Sequence, residues 1–165
     1  MGLPDRKGDS VDRLLILSCS QRKASATGRV PAIDRYDGPV FRVLRRYLRE
    51  GSPGALTVLI ISAKYGLIEP SHTIPTYDCR MSAARAKELR PHVLAALRRL
   101  LASRCWHEVG VCAGKHYRSA LDGFLLLLPE GSQVVFLGGG QGPRLTRLRA
   151  WLRRAAPVEG QEGGG

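Results

Sequence analysis

The chain has no apolar run that approaches the roughly 18 residues a membrane span needs, so no membrane partner is expected. Residues 1–7, Met-Gly-Leu-Pro-Asp-Arg-Lys, contain no apolar h-region, so no secretory signal is expected and a cytoplasmic location follows. The cysteines Cys19, Cys79, Cys105 and Cys112 never fall in C-x-x-C spacing, which leaves out a zinc ribbon and a thioredoxin-type motif. Cys112 reads as a small buried hydrophobe and Cys105 as an inert residue near a helix end. The phosphate-loop pattern G-x-x-x-x-G-K-[ST] is missing, and there are no internal repeats. Neither a metal nor a resident cofactor is expected. Negative charge is also scarce: 14 Asp and Glu stand against 26 Lys and Arg, a net charge of +12. Such a balance favours nucleic acid, anionic lipid or a phosphorylated substrate as partner. Because 21 of the 26 basic residues are Arg, a GC-rich genome that overuses arginine would also account for it.

What is present is a repeated local pattern. Four short apolar stretches, at residues 14–17, 58–61, 109–111 and 134–137, read as strands, and each runs into small or reactive residues. Those endings are Ser18-Cys19-Ser20, Ser62-Ala63-Lys64-Tyr65-Gly66, Cys112-Ala113-Gly114-Lys115 and Gly138-Gly139-Gly140. Helical patterns separate the strands. Pro39 suits the first turn of a helix to about Glu50 with Gly51 as its stop, burying Val40, Phe41, Leu44, Tyr47 and Leu48. Ser82 suits the N-cap of a helix to about Ser103 that Pro91 kinks or splits. Further helices are expected from about His116 to Leu128 and from Pro143 to about Ala155. Residues 21–38 and 66–81 read as long loops, of the kind that is usually functional or mobile. Alternation of strand and helix predicts an α/β fold: a mainly parallel sheet of about four strands, with helices on both faces. The expected organisation is a disordered lead-in at 1–12, one domain at 13–156 and a flexible tail at 157–165. With parallel strands, all four clusters share one sheet edge, where open α/β folds bind ligands.

Several residues at that edge carry chemistry. Ser18, Cys19 and Ser20, followed by Arg22 and Lys23, suit a phosphate, a carboxylate or a nucleobase carbonyl. Lys64 ends an apolar strand; partial burial there would favour the neutral amine and make it a nucleophile or base. A lysine snorkelling at the sheet edge is the alternative. Asp78, beside Tyr77, offers an acid or a partner that keeps a lysine charged, or else an ordinary turn ahead of Ser82. Ser62 and Tyr65 flank Lys64. Gly114, Lys115 and Tyr117 open a helix directly after a strand, where backbone N–H groups favour an anion, although a bland basic first turn fits as well. The glycine run 138–140 allows close approach of a ligand, or simply a tight turn. Arg42, Arg45, Arg46 and Arg49 share one helix face, and Arg144 and Arg147 lie on the last helix. Together these arginines could track a phosphate backbone. Trp106 and Trp151 read as core or interface residues rather than base-stacking platforms.

Three segments resemble the YaaA (peroxide stress) family and the short YaaA-like proteins grouped with it. Leu15-Ile16-Leu17-Ser18-Cys19-Ser20-Gln21-Arg22-Lys23 is similar to its I-S-P-A-K segment. Ser62-Ala63-Lys64-Tyr65-Gly66-Leu67-Ile68-Glu69-Pro70, with Ile74-Pro75-Thr76-Tyr77-Asp78-Cys79-Arg80-Met81, is similar to S-G-L-Y-G-V-L-R-P…P-Y-R-L-E-M. Val111-Cys112-Ala113-Gly114-Lys115-His116-Tyr117 is similar to N-L-A-S-N-E-Y-F. The spacing from Cys19 to Lys23 also resembles the lysine-bearing motif of archaeosine synthases, which modify a deazaguanine base in tRNA. The likeness covers roughly residues 14–120, and Lys64 stands where the longer YaaA proteins have Leu. It implies DNA binding and protection from oxidative damage, without a settled reaction. The resulting expectation is a protein that binds DNA or RNA, with a strand-end pocket for a base or nucleotide. An enzyme that uses Lys23 or Lys64, with Asp78, on a nucleotide or nucleobase is the alternative.

Overall fold

The apolar run at residues 14–17 becomes the central strand in the computed structural model, which describes residues 12–51 and 56–154. Strand β1 spans Arg13–Ser18, and Leu14, Leu15, Ile16 and Leu17 are fully buried, pointing alternately to the two sheet faces. Burial on both faces is why the run is continuous in hydrophobicity rather than alternating. Next come β2 (Val30–Pro31), the one-turn α1 (Ala32–Arg35) and α2 (Pro39–Glu50). Three strands follow: β3 (Leu56–Ser62), β4 (Gly66–Ile68) and β5 (Thr73–Ile74). The chain then forms α3 (Ala83–Ala102), β6 (Glu108–Cys112) and α4 (Lys115–Ser119). A 3-10 turn at Phe124–Leu127, β7 (Gln133–Phe136) and α5 (Gln141–Arg153) complete it.

The sheet order is β4-β3-β1-β6-β7. β3, β1, β6 and β7 are parallel, as the alternating pattern implied, and β4 folds back antiparallel on β3 with Ile60 opposite Ile68. That hairpin was not visible in the sequence, because its tight turn ends in Gly66 at φ 74° rather than in a longer polar loop. Helix α3 covers one face, where Leu89, Val93 and Leu97 share a core with Leu14, Ile16 and Val109. The other face is covered by α2 and α5, with Phe41, Leu44, Leu148 and Trp151 against Leu15, Leu17 and Ile60. The described residues thus form one α/β domain.

Local signals explain most helix ends. Pro39 occupies the first turn of α2 and Gly51, at φ 85°, stops it. Ser82 Oγ accepts the N–H of Arg85 at 3.1 Å and caps α3, which runs past Pro91 without dividing. Two expectations need correction. Leu48 is 39% exposed, so the buried stripe of α2 is narrower than its apolar residues suggested. The helix expected over about 116–128 is a five-residue α4 and a 3-10 turn, parted where Gly123 takes φ 93°. Both long loops also carry structure, since β2 and β5 pair antiparallel with Val30 opposite Ile74. Of the expected lead-in and tail, residues 1–11 and 157–165 lie outside the described residues. Asp12 already belongs to the fold, its carbonyl accepting the N–H of His107 at 2.9 Å.

A buried ionic cluster anchors the sheet edge opposite the strand-end clusters. Glu108 Oε1 accepts from Trp151 Nε1 and from the Arg154 guanidinium, both at 2.8 Å. The Arg13 guanidinium lies 3.9 Å from the Trp151 ring centroid and donates to backbone carbonyls at the end of α5, including that of Trp151. Burial pulls the Arg13 pKa down, and the nearby Glu108 carboxylate opposes the shift. Removing one partner strands a buried charge. Glu108→Ala should therefore lower unfolding stability by about 3 kcal/mol, and Glu108→Gln by less, as read from the urea midpoint at unchanged slope.

Candidate functional site at the strand ends

The chain leaves β1 through α2 to reach β3 on one side, then crosses by α3 to β6 on the other. The ends of β1 and β6 therefore diverge, which opens a crevice at the carboxyl edge of the sheet. Cys19 and Tyr117 face each other across it, Sγ to Oη 3.2 Å.

Beside this pair the end of β3 supports a chain of hydroxyls. The buried Ser62 Oγ accepts the N–H groups of Lys64 at 3.2 Å and Tyr65 at 3.1 Å. With both lone pairs engaged, its proton is left for Tyr77 Oη, 3.0 Å away. Tyr77 Oη in turn hydrogen-bonds Tyr36 Oη. Burial pushes the Tyr36 phenol up to about 12, and burial likewise raises Tyr77 and Tyr117 well above the ordinary phenol value. All three are neutral donor–acceptor groups near pH 7. Cys112 is pushed up to about 11 by burial, against the opposing effect of Arg144.

Two lysines meet over this group. Lys23 Nζ lies 4.4 Å from the Tyr77 ring centroid and Lys64 Nζ lies 5.5 Å from it. Lys64 Nζ is also 5.4 Å from the Tyr65 ring, which packs edge-on to Tyr77 at 5.4 Å. Lys23 is placed by backbone pairing with Tyr36, and its ammonium donates to the Gln21 carbonyl at 3.3 Å. The sequence expectation is corrected in two respects. Lys64 is exposed in the turn beyond β3, so it lacks the burial that would favour a neutral amine. Asp78 is exposed and forms no ion pair with either lysine among the described residues.

The loop that delivers Lys23 and Tyr36 is held by residues the motif reading passed over. Arg35 is fully buried and donates to the carbonyls of Ala24, Ala26 and Gly28 at 2.8, 2.8 and 2.6 Å. Asp37 binds Arg42 and Arg45 at 3.1 and 2.8 Å, and hydrogen bonding from Arg42 holds its carboxyl below the ordinary value. Arg85 fixes the β3–β4 turn through the carbonyls of Ala63 and Lys64, at 2.8 and 2.9 Å. The dense run Asp34-Arg35-Tyr36-Asp37-Gly38 was the available signal for the first loop.

The arginines expected along a nucleic-acid backbone divide accordingly. Arg45 is tied inward to Asp37 and to the carbonyls of Ile33 and Tyr36 at 2.7 and 2.8 Å, so it is a structural residue. Arg42 is shared with Asp37 and Arg46 with Glu50, while Arg49 is exposed. Arg147 donates to the Gly138 carbonyl at 2.5 Å. Arg144 instead lines a cavity of about 400 Å³ with residues 18–20, 38–41 and 139–141. Lys115 faces a different cavity of about 310 Å³, and α4, at five residues, is too short for the anion-binding helix start expected after Gly114. Among the described residues no group of three or more His, Cys, Asp or Glu side chains could hold a metal, and no helix is long and apolar enough to cross a membrane.

The raised phenols make a pH prediction. An acid whose folded pKa lies above its unfolded value of about 10 contributes stability that is complete below pH 10 and lost as pH rises toward 12. The difference between ultraviolet titrations of the wild type and Tyr36→Phe should place the Tyr36 ionisation near pH 12, and Tyr36→Phe should flatten the loss of stability between pH 10 and 12.

The model of a family described as "Family of unknown function (DUF6884)" matches residues 14–150. No curated protein matches the chain. Among solved structures, AF0587, a protein of unknown function, superposes with a TM-score of 0.50 at 17% identity over 90% of this chain and 47% of its own. The chain thus spans about half the length of that protein, and the likeness concerns the fold.

Proposed function

The chain belongs to the DUF6884 family, whose function is unknown, and we propose that it binds a nucleobase or nucleotide, free or presented by DNA or RNA, at the carboxyl edge of its sheet. The observation that carries this reading is the approach of Lys23 and Lys64 to the Tyr77 ring without a carboxylate partner among the described residues. A nucleobase supplies what such a site lacks: a flat π surface for the tyrosines, and ring oxygens and nitrogens that accept from ammonium groups. The +12 charge supports a polyanionic partner, and the YaaA resemblance points the same way. Nucleotides should raise the melting temperature, as any ligand bound only to the folded state does. DNA or RNA affinity should fall steeply with salt. Tyr77→Ala and Lys23→Ala should each weaken nucleotide binding about tenfold. Absence of binding to nucleotides, DNA and RNA at low salt would overturn the reading.

A second reading, catalysis by Lys23, is favoured by the position of its Nζ 4.4 Å from the Tyr77 ring centroid without a carboxylate partner among the described residues. The Lys23 amine would attack a sugar C1′, forming an Nζ–C1′ bond as the bond to the base breaks and the base leaves with a proton; the sugar ring would then open, its C1′–O4′ bond breaking as the remaining Nζ proton passes to O4′ and an Nζ=C1′ imine forms. The resulting imine should be trapped by borohydride on damaged or abasic DNA and lost in Lys23→Ala. No trapped species over a panel of damaged bases would remove catalysis of this kind and leave the binding reading.

A further inference from the structure

The sheet ends on one side in a strand with a single neighbour: among the described residues β7 pairs with β6 alone. The N–H groups of Gln133 and Leu137 donate to the carbonyls of His107 and Val111, both toward β6. Main-chain direction alternates along a strand, so Val135 also faces β6. The N–H and C=O groups of Val134 and Phe136 therefore point outward from the sheet.

The surface around that edge is apolar. Of the four large apolar side chains that stand exposed among the described residues, three lie here: Leu125, Leu126 and Phe136, at 54, 90 and 46%. Leu125 and Phe136 share the wall of the cavity of about 310 Å³, and the Phe136 ring meets Phe124 edge-on at 6.5 Å. Edge strands are ordinarily blunted by lysine, proline, a bulge or short length. The opposite edge obeys this rule, since β4 has three residues and lies between the exposed Lys64 and Glu69-Pro70. β7 does not. Gln133-Val134-Val135-Phe136 has no charge and no proline, and its register with β6 runs without a bulge.

We propose that a second copy of this chain docks on β7, the two strands pairing antiparallel about a two-fold axis at Val135. A strand is the partner that takes up a row of outward donors and acceptors in order. In this register Val134 of each copy lies opposite Phe136 of the other, and the two pairs exchange four main-chain hydrogen bonds. Val134 and Phe136 also share one face of the sheet, the face of Phe124. Each Phe136 ring then packs on Val134 of the other copy, an aromatic–β-branched pair. Charge agrees with this arrangement. The uncharged seam lets two chains of +12 meet without opposing like charges. The axis carries the exposed Glu130, in the turn before β7, toward the end of the other copy's β7, beside which Lys115 and Arg118 line the cavity. Residues 155–165 are a poor competitor for the edge, because they contain one β-branched residue, one proline and four glycines. The pairing joins two five-stranded sheets into one and does not depend on the base reading.

The test is sedimentation equilibrium of the full chain, in high salt to suppress bridging by nucleic acid. The mass should rise from 18.0 kDa toward twice that value with concentration. Phe136→Lys places a lysine on the edge, and Leu125→Lys charges the apolar wall beside it. Both replace exposed side chains, so circular dichroism should match the wild type, and either variant reports if the other misfolds. Each should weaken self-association about tenfold or more. Amide hydrogen exchange at positions 134 and 136 should be slow in the dimer and fast in the variants. A chain that stays at 18.0 kDa at every concentration overturns the proposal, and slow exchange at 134 and 136 in that monomer assigns the edge to the chain's own residues. A dimer that persists in both variants, or whose amides at 134 and 136 exchange fast, uses another surface and overturns it equally.

Discussion

Burial of β1 on both faces is the constraint from which the rest of the architecture follows. A strand with Leu14 and Ile16 on one side and Leu15 and Leu17 on the other requires a strand at each edge and a helical layer on each face. β3 and β6 supply the edges, and their connections must pass over opposite faces. The crevice between the carboxyl ends of β1 and β6 results directly from that divergence. Cys19, Ser62 and Tyr117 meet the same edge because Ser62 ends β3 and the other two follow the neighbouring strands β1 and β6.

The electrostatics of the edge are organised by exclusion of negative charge. Desolvation raises the pKa of the buried Tyr36 and of the half-buried Tyr77 and Tyr117, and Asp37 is enclosed by arginines. The lysines approach a ring, and Arg144 lines a cavity whose described lining includes no Asp or Glu. Much of the positive charge elsewhere is structural. Arg35 binds three carbonyls, Arg85 fixes a turn and Arg13 joins the ionic cluster at the far edge. Net charge alone consequently overstated the surface free to meet a polyanion, and the informative cations are the lysines that lie over rings without a carboxylate partner among the described residues.

The fold class was legible in the sequence because it depends on local signals. Continuous apolar runs marked strands buried on both faces, and Pro39, Gly51 and Ser82 marked helix ends that the structure reproduces. The strand-end clusters were legible too, since a parallel sheet necessarily gathers them on one edge. The failures have one cause, the dependence of a residue's role on neighbours distant in sequence. Lys64 looked buried because its strand was apolar, yet β3 ends at Ser62 and the lysine stands in a turn. Asp78 looked like a lysine partner because it lay in the right segment, whereas the neighbour of both lysines is the Tyr77 ring. Tyr36 and Arg35 passed unnoticed in a loop whose pairing of β2 with β5 joins residues more than 40 positions apart. Sequence alone determined the layers and the edge on which chemistry gathers, because short-range periodicity encodes them. Tertiary structure alone decided which side chains face one another there, because that depends on how distant loops are pinned.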